Sequence, residues 1–367
     1  MRLIFIVFMV CVILTGISCA PSNKSENREN QKSNEVGSTN NISSEIDSYL
    51  DKMIQTNEIP GMALGVIREG VLIYETYKGS VSLETDEKVT PNTLYRLYST
   101  TKLITVVAIF KLVEEGKIKL SDPISNFIND LPENWRHIEV HHLIAHSSGL
   151  PDIMNFDLLQ NDEDMLGKLF KENIEFDAGE KFVYNQTNYW FLAKIIERVS
   201  GQSYEEFVLK FQFENDKKKI IFSSNHTDTI ERKANLYWYQ ADKNEYEIVK
   251  VDFGQRANSS TGLILSLRDF IEWNKRLDED ILLNDKTKQM MWTSYDYKDI
   301  ESEFLYGWGT YSKNSIGFTG SGVTGYRKFL DEDMTIIFLS NGFKKSEPVH
   351  NEIIDEVARI ALKKLRK

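Results

Sequence analysis

The alternation of apolar and polar residues divides the chain into a leader, a polar tract and a folded part. Residues 3–14 form an almost unbroken apolar run behind Arg2, shorter than the roughly 20 residues that span a bilayer. Such a run is typical of a signal peptide. Residues 20–41 are polar without apolar periodicity, which favours a flexible tether. The predicted divisions are a signal peptide at 1–18, a tether at 19–42 and a folded domain at 43–367.

Apolar spacing in the folded part predicts helices and strands at both ends of the chain. Residues 103–113 are apolar at all but two positions, which predicts a helix buried on every side and ended by Gly116. Further helices are predicted at 45–53 behind a Ser43/Ser44 cap, at 188–199, after the Ser203 capping box, and at 349–365. Strands are predicted at 62–67, 71–77, 305–311, 326–330 and 334–339.

Strands at both chain ends, with helices between them, indicate a mixed α/β (α+β) fold. We expect one antiparallel sheet built from both chain ends and flanked by helices. A mostly helical subdomain is expected as an insertion at roughly 120–260.

Composition excludes some classes of protein. The 367 residues are 41% hydrophobic and 11% aromatic, enough to bury a sizeable core. A net charge of −11 without a basic stripe disfavours nucleic acid as a partner. The two cysteines are Cys11 and Cys19, so the folded part has no disulfide and no thiolate metal cage.

Ser99 and Lys102 stand at the start of the buried helix. Residues three apart share one helix face, so the lysine amine can reach the serine hydroxyl. The helix N-terminus stabilises charge developing on the serine oxygen, and burial lowers the pKa of the lysine. The pair predicts a serine nucleophile with a lysine base. From these residues alone, a helix cap followed by a snorkelling lysine remains the alternative.

Four histidines, His137, His141, His142 and His146, form two pairs at i, i+4 spacing. On a helix such pairs can bind zinc. Glu139, however, alternates with Ile138 and Val140, and no matching third-ligand motif follows. We therefore expect neither a metal nor a cofactor.

Several motifs in order resemble one enzyme family. They are Leu94–Pro123 with Ser99-Thr100-Thr101-Lys102, Leu143–Pro151, Ala178–Gly201 with Tyr184-Asn185-Gln186, and Gly317–Gly320. Together they resemble the serine β-lactamase and penicillin-binding-protein-like hydrolases of the class C type, with their D-alanyl-D-alanine carboxypeptidase-like and esterase relatives. The resemblance covers Ser43 to Leu365 and is thin from about 213 to 239. Ordered motifs are far more specific than any single one.

The resemblance implies roles at the matching positions. Ser99 would attack the substrate carbonyl and form an acyl-enzyme, while Lys102 and Tyr184 would share the proton transfers. Backbone N–H groups of Ser99 and Ser321 would form the oxyanion hole. The implied substrate-binding residues are Gln186, Phe318, Thr319 and Gly320.

Two positions depart from the family pattern. Gln186 stands where the family has Asn, and Phe318 where it has Lys or His. That cation helps to hold a substrate carboxylate, so we expect weak β-lactam turnover and a neutral or unusual substrate. Arg327 on the next strand is expected to be a surface or structural arginine rather than a replacement cation.

The prediction is a serine hydrolase that cleaves an ester or amide bond through an acyl-Ser99 intermediate. Its substrate would be a small molecule or peptide, namely an ester, a peptide or a β-lactam. The alternative is a catalytically weak or inactive penicillin-binding-like protein that binds cell-wall peptide or a partner protein. Phe318 and Gln186 favour this alternative, and intact Ser99, Lys102 and Tyr184 oppose it.

Ser18-Cys19 resembles a bacterial lipoprotein cleavage box, with Gly16 where that box usually has leucine. This predicts a lipid on Cys19 that anchors the protein to a membrane of the bacterial cell envelope, facing the periplasm or the cell surface. An ordinary signal peptide, or an uncleaved anchor, remains the alternative.

Overall fold

The computed structural model describes residues 42–56, 59–85, 87–298, 304–312, 314–343 and 349–365. The predicted leader, Cys19 and the tether up to residue 41 lie outside this range. Within it, no helix is both long and apolar enough to cross a bilayer.

Eleven strands and ten helices form the described part of the chain. The strands are β1 (Gly61–Arg68), β2 (Val71–Gly79), β3 (Leu94–Arg96), β4 (Ile221–Phe222), β5 (Tyr237–Gln240), β6 (Glu245–Ile248), β7 (Leu263–Ser266), β8 (Gly309–Tyr311), β9 (Ser315–Gly320), β10 (Thr324–Phe329) and β11 (Met334–Ser340). The helices are α1 (residues 42–56), α2 (Thr101–Glu114), α3 (Val140–Ile144), α4 (Asp162–Leu169), α5 (Gln186–Ser200), α6 (Tyr204–Gln212), α7 (Asn258–Thr261), α8 (Leu267–Asp278), α9 (Asp285–Met291) and α10 (His350–Leu365).

The main sheet has six strands in the order β2-β1-β11-β10-β9-β8, each antiparallel to its neighbours. β1 pairs with β11, so that Met62 lies opposite Ser340 and the two chain ends meet in the sheet centre. The predicted antiparallel sheet from both termini is confirmed. Smaller sheets follow the orders β3-β7-β4 and β5-β6.

Helices cover both faces of the main sheet. Met62, Leu64 and Val66 of β1 are buried with apolar residues of α1 and α10 on one face. Ala63 and Ile67, the intervening side chains, pack into the core that contains α2 and α8 on the other face. Because both faces are covered, the central strands are continuous apolar runs rather than alternating ones.

α2 is buried on nearly all sides, as its apolar run predicts. Residues 103–110 are all buried, and the helix ends just before Gly116, which has φ of +68°. Helices α5 and α6 pack beside it, and Tyr204 of α6 shares a 2.7 Å hydrogen bond with Thr105. α2 therefore holds its first turn rigidly inside the molecule.

Two expectations about element ends are wrong. The predicted strand 305–311 is strand only at β8, because Leu305 N–H donates to the Trp308 carbonyl (2.8 Å) and Gly307 takes φ of +77°. A tight turn thus replaces the first half of that strand. α1 already includes residue 42, so Ser43 and Ser44 lie inside its first turn rather than before it. The predicted subdomain at 120–260 stays a prediction.

Candidate active site

Ser99 lies in a single 3₁₀ turn, Tyr98–Thr100, that leads directly into α2. Its neighbours Tyr98 and Thr100 are buried, whereas Ser99 is half-buried. Tyr98 has φ of +50°, a conformation that costs a bulky residue energy and often marks a functional turn. The turn presents the Ser99 hydroxyl at the N-terminus of a buried helix.

The end of β9 packs directly on this turn. A Cβ atom at Gly320 would lie 2.2 Å from the Leu97 carbonyl oxygen, so only glycine fits there. Thr324 Oγ1 of β10 donates to the same carbonyl (2.8 Å) and lies 3.1 Å from Thr100 Oγ1. These contacts bring Ser321, which follows Gly320 with φ of +47°, to the turn that carries Ser99.

Two side chains hold the turn between β9 and β10. His350, at the start of α10, donates from Nδ1 to the Gly322 carbonyl (3.1 Å), and Ser340 Oγ donates to the Val323 carbonyl (3.0 Å). Burial, together with nearby Arg327, lowers the pKa of His350 to about 4, so this ring is neutral near pH 7. The backbone around Ser321 is therefore fixed from both sides.

Lys102 is fully buried. Its Nζ donates to Gln186 Oε1 (3.0 Å) and to the Ser260 carbonyl (3.2 Å). Burial lowers the pKa of Lys102, and attraction to Tyr184 and Asp152 partly opposes that shift. A neutral amine has two N–H groups, and these two acceptors occupy both. Its lone pair stays available to a third partner.

Tyr184 connects the lysine with the serine. Its hydroxyl donates to Ser99 Oγ (2.8 Å), and its ring centre lies 4.8 Å from Lys102 Nζ. Behind it, the fully buried His146 ring lies 4.5 Å away and accepts the Asn185 backbone N–H at Nδ1 (3.1 Å). Burial, and secondly Lys102, lowers the pKa of His146 well below its usual range. The structure thus brings Ser99, Lys102 and Tyr184 together against a neutral imidazole.

The predicted substrate-binding residues line two sides of this group. Gln186 is the first residue of α5, and its Oε1 accepts the hydrogen bond from Lys102. Phe318 on β9 is 7% exposed, and its ring centre lies 6.4 Å from that of Tyr184 and 6.0 Å from that of Phe304. Thr319 is half-buried. An aromatic wall therefore stands where the resemblance expects a cation.

Arg327 does not replace that cation. Phe318 pairs with Tyr326, whose side chain packs on α8, so Arg327 points to the opposite face of the sheet. There its guanidinium lies 3.4 Å from the Tyr311 ring centre and donates to Asn351 of α10 (2.6 Å). Arg327 is 1% exposed, as a structural arginine is.

Sequence reasoning missed two groups of the site. Asp152 Oδ1 accepts the backbone N–H of Gln186 (3.2 Å) and is half-buried, and this burial raises its pKa against the attraction of Lys102. The Ser260 carbonyl holds Lys102. Asp152 directly follows the Leu143–Pro151 motif, whereas Ser260 lies in α7, outside the four motifs of the family resemblance.

The two i, i+4 histidine pairs do not form. His137 is exposed, and His146 lies behind Tyr184. His141 and His142, by contrast, meet with their Nε2 atoms 3.1 Å apart, and Glu139 Oε2 lies 3.1 Å from His141 Nε2. The side chains that meet, those of Glu139, His141 and His142, are therefore close neighbours in the sequence rather than residues one helical turn apart.

Known proteins resemble this chain over most of its length. Protein flp of Staphylococcus aureus (strain MW2) is 23% identical over 325 residues, which are 83% of this chain and 64% of that protein. This chain thus spans less than two thirds of that relative. The octameric penicillin-binding protein homologue from Pyrococcus abyssi has a TM-score of 0.72 at 25% identity, covering 87% of this chain and 77% of that one.

A third comparison concerns the fold alone. D-amino acid amidase from Ochrobactrum anthropi SV3, complexed with D-phenylalanine, has a TM-score of 0.71 at 19% identity, covering 89% of this chain and 99% of the amidase.

The family model described as Beta-lactamase matches residues 46–359. That match contains every strand of the main sheet and the Ser99, Lys102 and Tyr184 group, and the chain belongs to the beta-lactamase family.

Proposed function

We propose that this protein is a serine hydrolase that cleaves an ester or amide bond through an acyl-Ser99 intermediate. The observation that supports this proposal most directly is the 2.8 Å hydrogen bond from the Tyr184 hydroxyl to Ser99 Oγ beside a buried lysine. Both N–H groups of a neutral Lys102 have acceptors in Gln186 and Ser260. An amine held in this way has only its lone pair left for chemistry, which suits a general base.

Acylation then proceeds with balanced proton transfers. Neutral Lys102 takes the hydroxyl proton of Ser99 as Oγ attacks the substrate carbonyl. Backbone N–H groups of Ser99 and Ser321 stabilise the oxyanion, each by roughly 2.7–4 kcal/mol. Tyr184 delivers a proton to the leaving group, and the Lys102 ammonium returns one to Tyr184. Water completes the cycle. It attacks the acyl carbonyl, and the protons move through the same residues as in acylation.

The aromatic wall bears on the substrate class. A carboxylate placed against Phe318 loses the cation that the family resemblance implies, and a poorly paired carboxylate costs on the order of several kcal/mol. An uncharged ester or amide loses nothing at this position. We therefore propose that neutral acyl substrates are preferred over β-lactams. The fold likeness to a D-amino acid amidase supports amides among them.

Phe318 and Gln186 also support a second candidate, a weak or inactive protein that binds cell-wall peptide or a partner protein. Incubation of the full chain with a fluorophosphonate and a fluorescent penicillin, followed by peptide mapping, separates the two. Hydrolysis requires a covalent adduct on Ser99 together with turnover of p-nitrophenyl acetate. Peptide binding without any adduct or turnover contradicts the hydrolase and supports the binder.

We also propose that Cys19 carries a lipid that anchors the protein in a bacterial cell envelope. Support comes from the apolar run before Ser18-Cys19 and the polar tract after it. Mass spectrometry of envelope-extracted protein is expected to find residues 1–18 removed and a lipid mass on Cys19. An unmodified terminus elsewhere contradicts the anchor without touching the proposed hydrolysis.

A further inference from the structure

Glu139, His141 and His142 converge at the start of α3. One ligand atom from each lies within 4.8 Å of the other two. His141 Nε2 is the centre of the group, 3.1 Å from both His142 Nε2 and Glu139 Oε2. The group lies outside the Ser99, Lys102 and Tyr184 arrangement, and the proposed hydrolysis does not use it.

The protons of this group cannot satisfy all of its contacts. Glu139 N–H donates to His142 Nδ1 (2.9 Å), so a neutral His142 carries its proton on Nε2. That proton points at His141 Nε2, which must then accept it. Glu139 Oε2 is left facing the same nitrogen lone pair with no proton between them.

Protonation of His141 does not relieve the conflict. A second proton on this ring would give Glu139 a donor, but it would also set two N–H groups against each other at 3.1 Å. A cation between the three atoms removes the repulsion in one step.

We propose that Glu139, His141 and His142 bind a divalent transition-metal ion of the Zn²⁺ type through one carboxylate oxygen and two Nε2 atoms. Two imidazoles and a carboxylate are a ligand set that zinc accepts, with a fourth position left to water. Zinc bonds of about 2.0–2.2 Å in a tetrahedron place neighbouring ligand atoms roughly 3.3–3.6 Å apart. The two 3.1 Å separations lie just below this range, so small side-chain movements suffice to admit the ion.

Binding requires one tautomer change. As His142 Nε2 takes the metal, its proton moves to Nδ1, so the hydrogen bond from Glu139 N–H is lost and the ring must turn to separate two N–H groups that would otherwise lie 2.9 Å apart. Three coordinate bonds replace that single hydrogen bond, and no proton leaves the protein.

The surroundings leave room and access. A Cβ atom at Gly179 would lie 3.3 Å from His142 Nε2 and 3.6 Å from the Tyr295 hydroxyl, so the glycine keeps this side of the group open. The side chains of Glu139 and His141 are 34% and 24% exposed, which lets an ion and its water enter. Gly179 precedes Tyr184 in the chain, and its N–H donates to the Ser147 carbonyl (2.8 Å).

The test uses metal-stripped full chain without an affinity tag, titrated with Zn²⁺ by calorimetry and with Co²⁺ by visible absorption. We expect one equivalent of either ion, a tetrahedral Co²⁺ spectrum and a Zn²⁺-dependent rise in Tm. His141→Asn and Glu139→Gln should each weaken binding by at least ~10-fold. Both variants should match the metal-free wild type in circular dichroism and Tm.

His137→Asn is the matched control, because His137 is exposed on the same segment but outside the group. It should bind Zn²⁺ like the wild type. The proposal is overturned if the wild type binds no ion, if both variants bind it unchanged, or if His137→Asn weakens binding equally. An octahedral Co²⁺ spectrum with equal affinity for Mg²⁺ overturns it as well, since that indicates an oxygen-only site.

Discussion

The two walls of the Ser99 cleft keep different parts of the family pattern. The helical wall, formed by the first turns of α2 and α5 with Tyr184 and with Ser260 of α7, gives both N–H groups of a neutral Lys102 and the Tyr184 hydroxyl a partner. The strand wall, formed by β9 from Phe318 to Gly320 with Ser321, offers an aromatic ring and backbone. The proposed nucleophile and the proton-transfer groups thus lie on one wall, and recognition of substrate charge belongs to the other. The two properties can therefore change separately.

The largest effect is expected from Ser99→Ala. Removal of the nucleophile should lower kcat/KM for p-nitrophenyl acetate by on the order of 10⁴-fold or more and abolish fluorophosphonate labelling. The fold should persist, because Ser99 is half-buried and its turn is held by Thr324. Ser125→Ala, an exposed serine, is the control. Labelling that survives in Ser99→Ala would show that another residue is the nucleophile and that the helical wall does not carry the reacting groups.

Lys102→Met is expected to lower kcat by ~10²–10⁴-fold, the usual contribution of a general base. In the wild type, activity should fall as pH drops through the lowered pKa of Lys102, because the protonated amine cannot accept the Ser99 proton. The variant should lose this acidic limb of the kcat/KM profile. Its thermal stability at neutral pH should equal or exceed that of the wild type, because the pKa of Lys102 is lowered by folding, so that folding must remove a proton that the unfolded chain keeps at this pH.

Equal pH profiles for Lys102→Met and the wild type would contradict the assignment of the base. Lys288→Met is a suitable control, since Lys288 is another buried lysine whose Nζ donates to the Leu277 and Asp278 carbonyls far from Ser99. It should leave the acidic limb in place and lower stability instead.

The local part of this geometry could be predicted from the sequence. Ser99 and Lys102 share a face because three positions separate them, and the apolar run 103–113 already implies that the lysine is buried. The hydrogen-bond partners of Lys102 could not be predicted in this way. Gln186 and Ser260 lie 84 and 158 positions away along the chain, and only the packing of α5 and α7 on α2 brings them to Nζ.

The histidines show the limit of helical spacing as a guide. The i, i+4 rule joins His137 to His141 and His142 to His146, but it presumes a helix that spans both pairs. α3 has five residues, so His137 precedes it and His146 follows it. Neighbours on a regular helix diverge by about 100°. The short helix and the contact of Glu139 N–H with His142 turn these rings toward each other instead.

Phe318→Lys and Phe318→His test the strand wall. Either cation should raise the ratio of kcat/KM for nitrocefin over p-nitrophenyl acetate by ~10-fold or more, because a charged hydrogen bond to the carboxylate contributes about 1.5–3 kcal/mol. Phe318→Leu, which keeps the position apolar, should leave the ratio within ~3-fold of the wild type. A wild type that already prefers nitrocefin, or a ratio that no cation moves, would show that Phe318 does not face the substrate.

Arg327→Lys should have the smallest effect on activity. The guanidinium stacks on Tyr311 and donates to Asn351 on the α10 face of the sheet, so a lysine keeps the charge but loses the fork and the stacking. We expect the free energy of unfolding in urea to fall by about 1–3 kcal/mol, with the nitrocefin to ester ratio unchanged within ~2-fold. Opposite results, a stable variant with a lowered ratio, would mean that Arg327 reaches the carboxylate through the sheet edge. The strand wall would then have a cation after all, and the separation of chemistry from charge recognition would fail.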